Sequence, residues 1–428
     1  MVDHRQHAHG GVPSVGVLVE LARGAEAGGH VKCWERLAEA AAARDPTDLG
    51  FDLTVYFLGR RSGVEALSRA VRYVTMRPVI SSALLTRWIG GVDPTDLAPY
   101  HPALARRLPH HDVWHVTHAF AFGGTATRLP RPAGTALMCS LHTDVPTLTA
   151  AYVRQVVERT PALRWLARRH PNGPPMAVDA ARRRRDRVLR ACDRIMVATP
   201  TELAAVERIV GAGRVSLLGR GIDRVRFRPD PAARADLVAR HGLPPGEMLV
   251  LFAGRVDASK RVMVVAEAVL RLRESGRPAR LVVAGTGADC GRVPALLGNG
   301  VTMLGRLPQP ELARVYPACD VLAFPSRSET IGNVVAEAMA CGLPVVLPAG
   351  ARTTAWLSRP GVDGLVVERD DPAGWAEQLG VLADHPEWRA SLGRGAYASA
   401  RYRHRTWDQV LTEDLLPFWL PAGARTGG

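Results

Sequence analysis

Cysteine is scarce in this chain of 428 residues, and none of the six (Cys33, Cys139, Cys192, Cys290, Cys319, Cys341) stands in CxxC spacing. That excludes a disulfide framework or a cysteine metal site and leaves them as small buried hydrophobes. No apolar run is long enough to span a bilayer, and the opening MVDHRQHAHGGVPS has no apolar core of a secretory signal. A cytoplasmic protein is expected. Internal repeats are absent, and so is the GxGxxG turn of a dinucleotide fold. Aromatic residues make up only 6 % and are not interleaved with the basic clusters, which argues against a nucleic-acid partner. Histidine pairs such as His110-His111 and His115/His118 have no neighbouring cysteine or carboxylate to complete a ligand pattern, so no metal is expected.

What is present points to a globular enzyme or binding protein. The chain is 47 % apolar and 22 % charged, and its length suits two domains of roughly 200 residues each. Apolar runs alternate with Ala-, Leu- and Arg-rich helical stretches, the pattern of α/β layers with parallel sheets. The net charge of +14 suits an anionic partner, whether nucleotide phosphate or membrane headgroup, although an arginine-rich solvated surface gives the same balance.

The most informative stretch is FPSRSETIGNVVAEAMACGLPVV, Phe324 to Val346. It reads as strand end, polar loop, helix, glycine stop and second strand. Glu329 lies in the loop. Glu337 lies in the helix, four residues after Asn333 and on the same face. The helix start, Thr330-Ile331-Gly332-Asn333, presents unpaired backbone N–H groups, and Gly332 admits a ligand close to them; such a terminus favours phosphate. A second cluster follows the strand Met248 to Ala253. There Gly254, Arg255 and Lys260 precede a helix, so a planar guanidinium and a compact ammonium stand at a strand's C-terminal end, where they could converge on one anionic group.

The first half is looser. Val15 to Glu20 is a strand feeding a loop that ends in Gly28-Gly29, then a helix from His30 to Ala42. Further strands are expected at Asp52–Leu58, Asp112–His118, Ala136–Leu141, Arg194–Ala198 and Val215–Leu218. The stretch from Gly63 to Pro109, with Trp88 and several prolines, has no clear period and could form helices that shape the acceptor side. His118, His142 and Asp144 follow strands, at the edge where open α/β sheets bind ligands. A basic helical region spans residues 154–190, a face that could lie on anionic headgroups. Gly219 and Gly221 mark a hinge, and the last helix, Trp407 to Leu416, should stop at Pro417.

The spacing Glu329 to Glu337, with the ending Glu-Ala-Met-Ala-Cys-Gly-Leu-Pro-Val-Val, resembles the Glu-x7-Glu signature of the family 4 retaining glycosyltransferases, and the Gly254-Arg255…Lys260 segment is similar to theirs. The resemblance implies an α/β protein of GT-B fold: two Rossmann-like domains facing a central cleft, residues 1–222 and 223–403, with 404–428 crossing back to the first. It implies a nucleotide-sugar donor, usually a uridine one, no cofactor and no metal, and a hydroxyl acceptor of lipid or small natural-product or aminocyclitol type. By the same resemblance Arg255 and Lys260 would grip the diphosphate, Glu337 the ribose and Glu329 the donor sugar. Gly285, Arg306 and Leu307 would lie by the nucleotide, Gly28 and Gly29 would face the donor from the first domain, and His142 would orient the sugar or acceptor, with His118 and Asp144 nearby. Paired-carboxylate glycoside hydrolysis fits poorly, because both glutamates lie on one segment. An epimerase or phosphorylase on the same fold, a non-catalytic nucleotide-sugar binder and a protein bound peripherally to the inner face of an anionic membrane are the alternatives.

Overall fold

The computed structural model describes residues 12–24, 28–83, 94–142, 175–327, 329 and 332–420. The chain divides into two compact units, Met1–Arg220 with Trp407–Gly428, and Gly221–Thr406. Each is built on one twisted sheet covered on both faces.

In the first unit the strands are β1 (Ser14–Ala22), β2 (Asp52–Leu58), β3 (Gly63–Ala66), β4 (Val71–Met76), β5 (Val113–Val116), β6 (Ala136–Ser140), β7 (Arg194–Val197) and β8 (Val215–Leu217). They lie in the order β3-β4-β2-β1-β5-β6-β7-β8. All pairings are parallel except β3 with β4. Burial on both faces explains why these strands read as near-continuous apolar runs. On β1, Val15, Val17 and Val19 enter one core, with Trp34, while Leu18 enters the other, with Trp114.

The second unit holds β9 (Met248–Ala253), β10 (Ala279–Ala284), β11 (Val301–Gly305), β12 (Val321–Ala323), β13 (Val345–Pro348) and β14 (Leu365–Val367). Their order is β11-β10-β9-β12-β13-β14, parallel throughout. Leu249, Leu251 and Ala253 face one core and Met248, Val250 and Phe252 the other. The strand order reverses direction between β9 and β12, and ligands of open α/β sheets bind outside the carboxyl ends at such a switch point. Both charged clusters picked out from the sequence follow these two strands.

Two expectations are corrected. The stretch from Gly63 contains a β-hairpin, and β4 is a full member of the sheet, in register with β2 from Leu53↔Val71 to Leu58↔Met76. Its pattern VRYVTM is β-branched and aromatic; Arg72 and Thr75, half-buried, broke the apolar run that marks the other strands. Pro417 does not end the last helix. Trp407–Val410 passes through a π-turn, Leu411–Leu415, into Leu416–Trp419, so Pro417 falls in the first turn of a new helical segment, where its missing N–H is harmless. This segment packs within the first unit: Trp407, Leu411 and Trp419 join its core, and Asp414 accepts from the Gly219 N–H at 2.7 Å.

The helix Pro175–Ala191 carries the consecutive arginines. Arg182 and Arg183 are exposed, but Arg184 turns inward, with Nη2 3.3 Å from the Ala98 carbonyl and its guanidinium 5.7 Å from the Phe120 ring centre. The residues 154–174 of the expected basic region lie outside the described residues. Among the described residues no helix is long and apolar enough to cross a membrane.

Candidate active site

In the second unit the loops after β9 and β12 meet. Lys260 Nζ lies 2.5 Å from Glu329 Oε1, with side chains 12 % and 25 % exposed. The two residues are 69 apart in sequence; adjacent parallel strands deliver them to the same edge. Arg255, on the same loop as Lys260, turns to its own loop, with Ser259 Oγ at 3.1 Å and Asp257 at 3.6 Å, and its side chain is 46 % exposed. The structure thus brings Lys260 and Glu329 together, and places Arg255 at the rim.

Gly332 is the N-cap of the helix Asn333–Ala340 and sits at φ 70°, the left-handed region. A Cβ there would lie 2.6 Å from Thr353 Cγ2, so the turn demands glycine twice over. Thr330 and Ile331 lie outside the described residues. Asn333 opens the helix, and Glu337, one turn on, accepts from Tyr316 Oη at 2.8 Å. Tyr316 is fully buried, and burial followed by the neighbouring Glu337 charge pushes its phenol up, so it stays a donor. We expect Tyr316→Phe to cost about 1.5 kcal/mol in urea unfolding, the low end for a hydrogen bond to a charged group, because water reaches the half-buried Glu337. An unchanged midpoint would show that the bond contributes nothing.

Gly254 and Gly285 end β9 and β10. The Gly285 N–H donates to the Gly305 carbonyl at 2.7 Å and the Gly254 N–H to the Ala284 carbonyl at 3.0 Å. Arg306 Nη2 lies 3.3 Å from Thr286 Oγ1, and Leu307 packs against the core. One clamp escaped the sequence reading. Arg261, at φ 58°, donates to the Pro325 carbonyl at 3.1 Å and to Asp370 Oδ2 at 2.5 Å. Asp370 also accepts from Arg327 Nε at 2.6 Å and Trp375 Nε1 at 2.8 Å. Burial would raise this carboxyl, but the bonds from Arg261, Trp375 and Arg327 hold it below the usual range. It ties the loop of Lys260 to the loop of Glu329.

In the first unit, His142 follows β6 and is 4 % exposed. It stacks on His30 at 4.2 Å between ring centres, and His30 stacks on His118 at 4.5 Å. Burial lowers all three: His118 to about 4, His30 well below its ordinary value with help from His118 and Arg220, and His142 well below its own with help from His30 and Arg220. They are neutral imidazoles. His30 is the second residue of the helix Gly29–Ala42, with Gly28 as N-cap. It was not singled out from the sequence, where it reads only as a helix start. Nor was Glu20, which bends at φ 53° and accepts from the Phe122 and Gly123 N–H groups at 2.8 and 3.3 Å. Its burial raises the carboxyl to about 8. Asp144 lies outside the described residues. No group of three or more potential metal ligands occurs among those described.

Residues 247–385 match the family model described as glycosyl transferases group 1. The chain is 32 % identical over 321 residues to the D-inositol 3-phosphate glycosyltransferase of Nocardiopsis dassonvillei, covering 71 % of this chain and 70 % of that one. It is 33 % identical over 330 residues to the enzyme of that name from Thermobifida fusca, covering 71 % of each. Among solved structures it is similar to sucrose-phosphate synthase from Thermosynechococcus elongatus, with a TM-score of 0.68 at 20 % identity, covering 94 % of this chain and 96 % of that one. It is also similar to Anabaena HepE, solved in complex with UDP-glucose, with a TM-score of 0.65 at 16 % identity, covering 94 % and 99 %.

Proposed function

The chain belongs to the group 1 glycosyl transferases, family 4, and is a glycosyltransferase of GT-B fold; on that premise we propose that it moves a hexose-type sugar from a UDP- or GDP-linked donor to a cyclitol phosphate hydroxyl with retention at the anomeric carbon. The Lys260–Glu329 pair carries this reading. An ammonium has three donors, so Lys260 can hold Glu329 in place and still serve a phosphate oxygen, offsetting charge as the nucleotide leaves. Glu329, fixed by that bond, accepts from sugar hydroxyls. Glu337, steadied by Tyr316, accepts from the ribose, and the N–H groups at Gly332 and Asn333 take the phosphate, with Arg255 closing from the rim. His142 orients the sugar or acceptor. These cations make a metal unnecessary. In this reading the hydroxyl attacks from the face the diphosphate leaves, the departing phosphate taking its proton, and no covalent nucleophile is assigned among the described residues. The name of the Nocardiopsis and Thermobifida relatives supports the cyclitol phosphate over a lipid acceptor.

The test is thermal stabilisation across a panel of nucleotide sugars, followed by product analysis with and without inositol phosphates. A donor at about 100 times its Kd adds roughly 2.7 kcal/mol, a visible shift in melting. A flat response across the panel would sink the reading. Product formed without any acceptor would favour an epimerase or phosphorylase. Full turnover in a folded Glu329→Ala variant would remove Glu329 from the site.

A further inference from the structure

His142 meets an obligate donor on each side of its ring. Trp34 Nε1 lies 3.2 Å from Nε2, and Arg220 Nη2 lies 2.8 Å from Nδ1. An indole N–H and a guanidinium can only donate, and a neutral imidazole accepts at only one nitrogen. One of these two contacts is therefore donor against donor, and the position of a single proton decides which.

The buried neighbours decide it. Trp419 Nε1 donates to His115 Nδ1 at 3.1 Å, so His115 carries its proton on Nε2. Burial lowers His115 to about 3, which keeps it neutral. Its Nε2–H faces Ser140 Oγ at 2.9 Å, and the Ser140 hydroxyl is left to donate its own hydrogen to His142 Nε2 at 2.8 Å. The single lone pair of His142 Nε2 is then shared by two donors, Ser140 at 2.8 Å and the more distant Trp34 at 3.2 Å, and the His142 proton sits on Nδ1. The opposite tautomer would give Ser140 two incoming donors and no acceptor, and would set the Trp34 N–H against an N–H. Each stranded buried donor costs about 1–3 kcal/mol. Trp34, Trp419, His115 and Ser140 are all enclosed, whereas Arg220 is only half-buried and can turn to water. The enclosed groups win.

We propose that Trp419, His115 and Ser140 are positioning residues that fix the His142 proton on Nδ1, and that this N–H and the Arg220 guanidinium form a two-donor seat for one phosphoryl oxygen. Two donors, one of them cationic, converge where neither can bond the other. An anionic oxygen has the lone pairs to accept from both, while an ammonium has none. Among the described residues His30, stacked on His142, finds no hydrogen-bond partner for either buried ring nitrogen, a separate sign that this cluster takes a polar ligand. The seat lies wholly within the first unit. Its test reads tautomer and binding, not turnover, so it can fail while the proposed transfer stands.

The experiment uses the full chain labelled with ¹⁵N-histidine, with His142 assigned by loss of its signals in His142→Gln. Long-range ¹H–¹⁵N spectra should show a protonated Nδ1 and a bare Nε2; the reverse pattern overturns the relay. In a Trp34→Phe background, which removes the other donor at Nε2, Ser140→Ala should admit the Nε2–H form and Ser140→Thr should restore the parent pattern; no change on Ser140→Ala in that background also overturns the relay. Titration with inorganic phosphate and, separately, with UDP should then shift Nδ1 saturably. Arg220→Gln should weaken the response at least tenfold. A response to phosphate assigns the seat to a phosphate monoester; one to UDP alone assigns it to a diphosphate. Silence with both probes, or an equal response in Arg220→Gln, overturns the seat.

Discussion

Lys260→Met is expected to lower kcat by roughly 10²–10³-fold, the range for removing one preorganised electrostatic partner of a developing negative charge, while the melting midpoint barely moves. The two halves of that expectation come from different physics. Lys260 is paired with Glu329 at 2.5 Å, but the carboxylate is a quarter exposed. Water can take over when the ammonium goes, so the stability lost should stay within the ~0–1 kcal/mol of a screened ion pair. During transfer the same ammonium would face a diphosphate gaining charge in a site closed to water, where no solvent substitutes for it. Met keeps most of the side chain's length and apolar packing and removes only the charge. Glu329→Gln makes the complementary change, and because the two residues act as a unit, the double variant should lose far less than the product of the single losses. Lys260→Arg is not a conservative rescue, since a planar fork cannot occupy the place of a point charge. A kcat within threefold of the parent in Lys260→Met would take Lys260 out of the chemistry.

How much of this was legible beforehand differs by kind of contact. The strand–loop–helix–strand unit around Glu329 could be read because its apolar period changes and its helix ends at Cys341-Gly342. Both central strands, β1 and β9, were equally plain as unbroken apolar runs. The meeting of Lys260 with Glu329 was legible only through the family resemblance; no local spacing tells that strands so far apart in sequence become neighbours. The Arg261–Asp370–Arg327 clamp was not legible at all. Asp370 sits among acidic loop residues before a helix, where a capping or solvated role is the ordinary reading, and only the fold shows that it spans two loops. The histidine cluster was half legible. His118 and His142 stand at strand ends and invite attention, but His30 looks like a helix start, and His115 lies inside a strand as any buried residue would. Their partner Trp419 belongs to the last segment of the chain, which no sequence period connects to β5 or β6. Hydrogen bonds between side chains brought together by topology leave no trace in sequence order.

Gly285→Ala should be the most disruptive single methyl in the second unit. A Cβ at this position would fall 1.8 Å from the Gly254 carbonyl oxygen, with Gly285 at φ 154°. The obstacle is backbone at the end of the neighbouring strand, and it cannot swing aside as a side-chain tip can. Relief requires the ends of β9 and β10 to part, which strains the bonds from Gly254 N to Ala284 O and from Gly285 N to Gly305 O. Overpacking of this kind costs about 1–3 kcal/mol before any backbone strain is added, and a positive φ adds roughly 1–2 kcal/mol for a residue with a Cβ. A total of about 3 kcal/mol or more would lower the melting midpoint of the unit by roughly 6–12 °C. Gly276→Ala supplies the control, because Gly276 also has a positive φ, 80°, but nothing lies within 4 Å of its added Cβ. It should lose only the conformational part, so the gap between the two variants measures the close approach itself. The strain would also reach the site: the loop that carries Arg255 and Lys260 leaves the sheet at Gly254, and displacing that point by a few tenths of an ångström moves Lys260 relative to Glu329. Gly285→Ala protein that survives folding should therefore bind a donor more weakly, while Gly276→Ala binds it as the parent does. Equal melting losses in the two variants would mean that the strand ends separate freely, and that the rigidity ascribed to this edge of the sheet is absent.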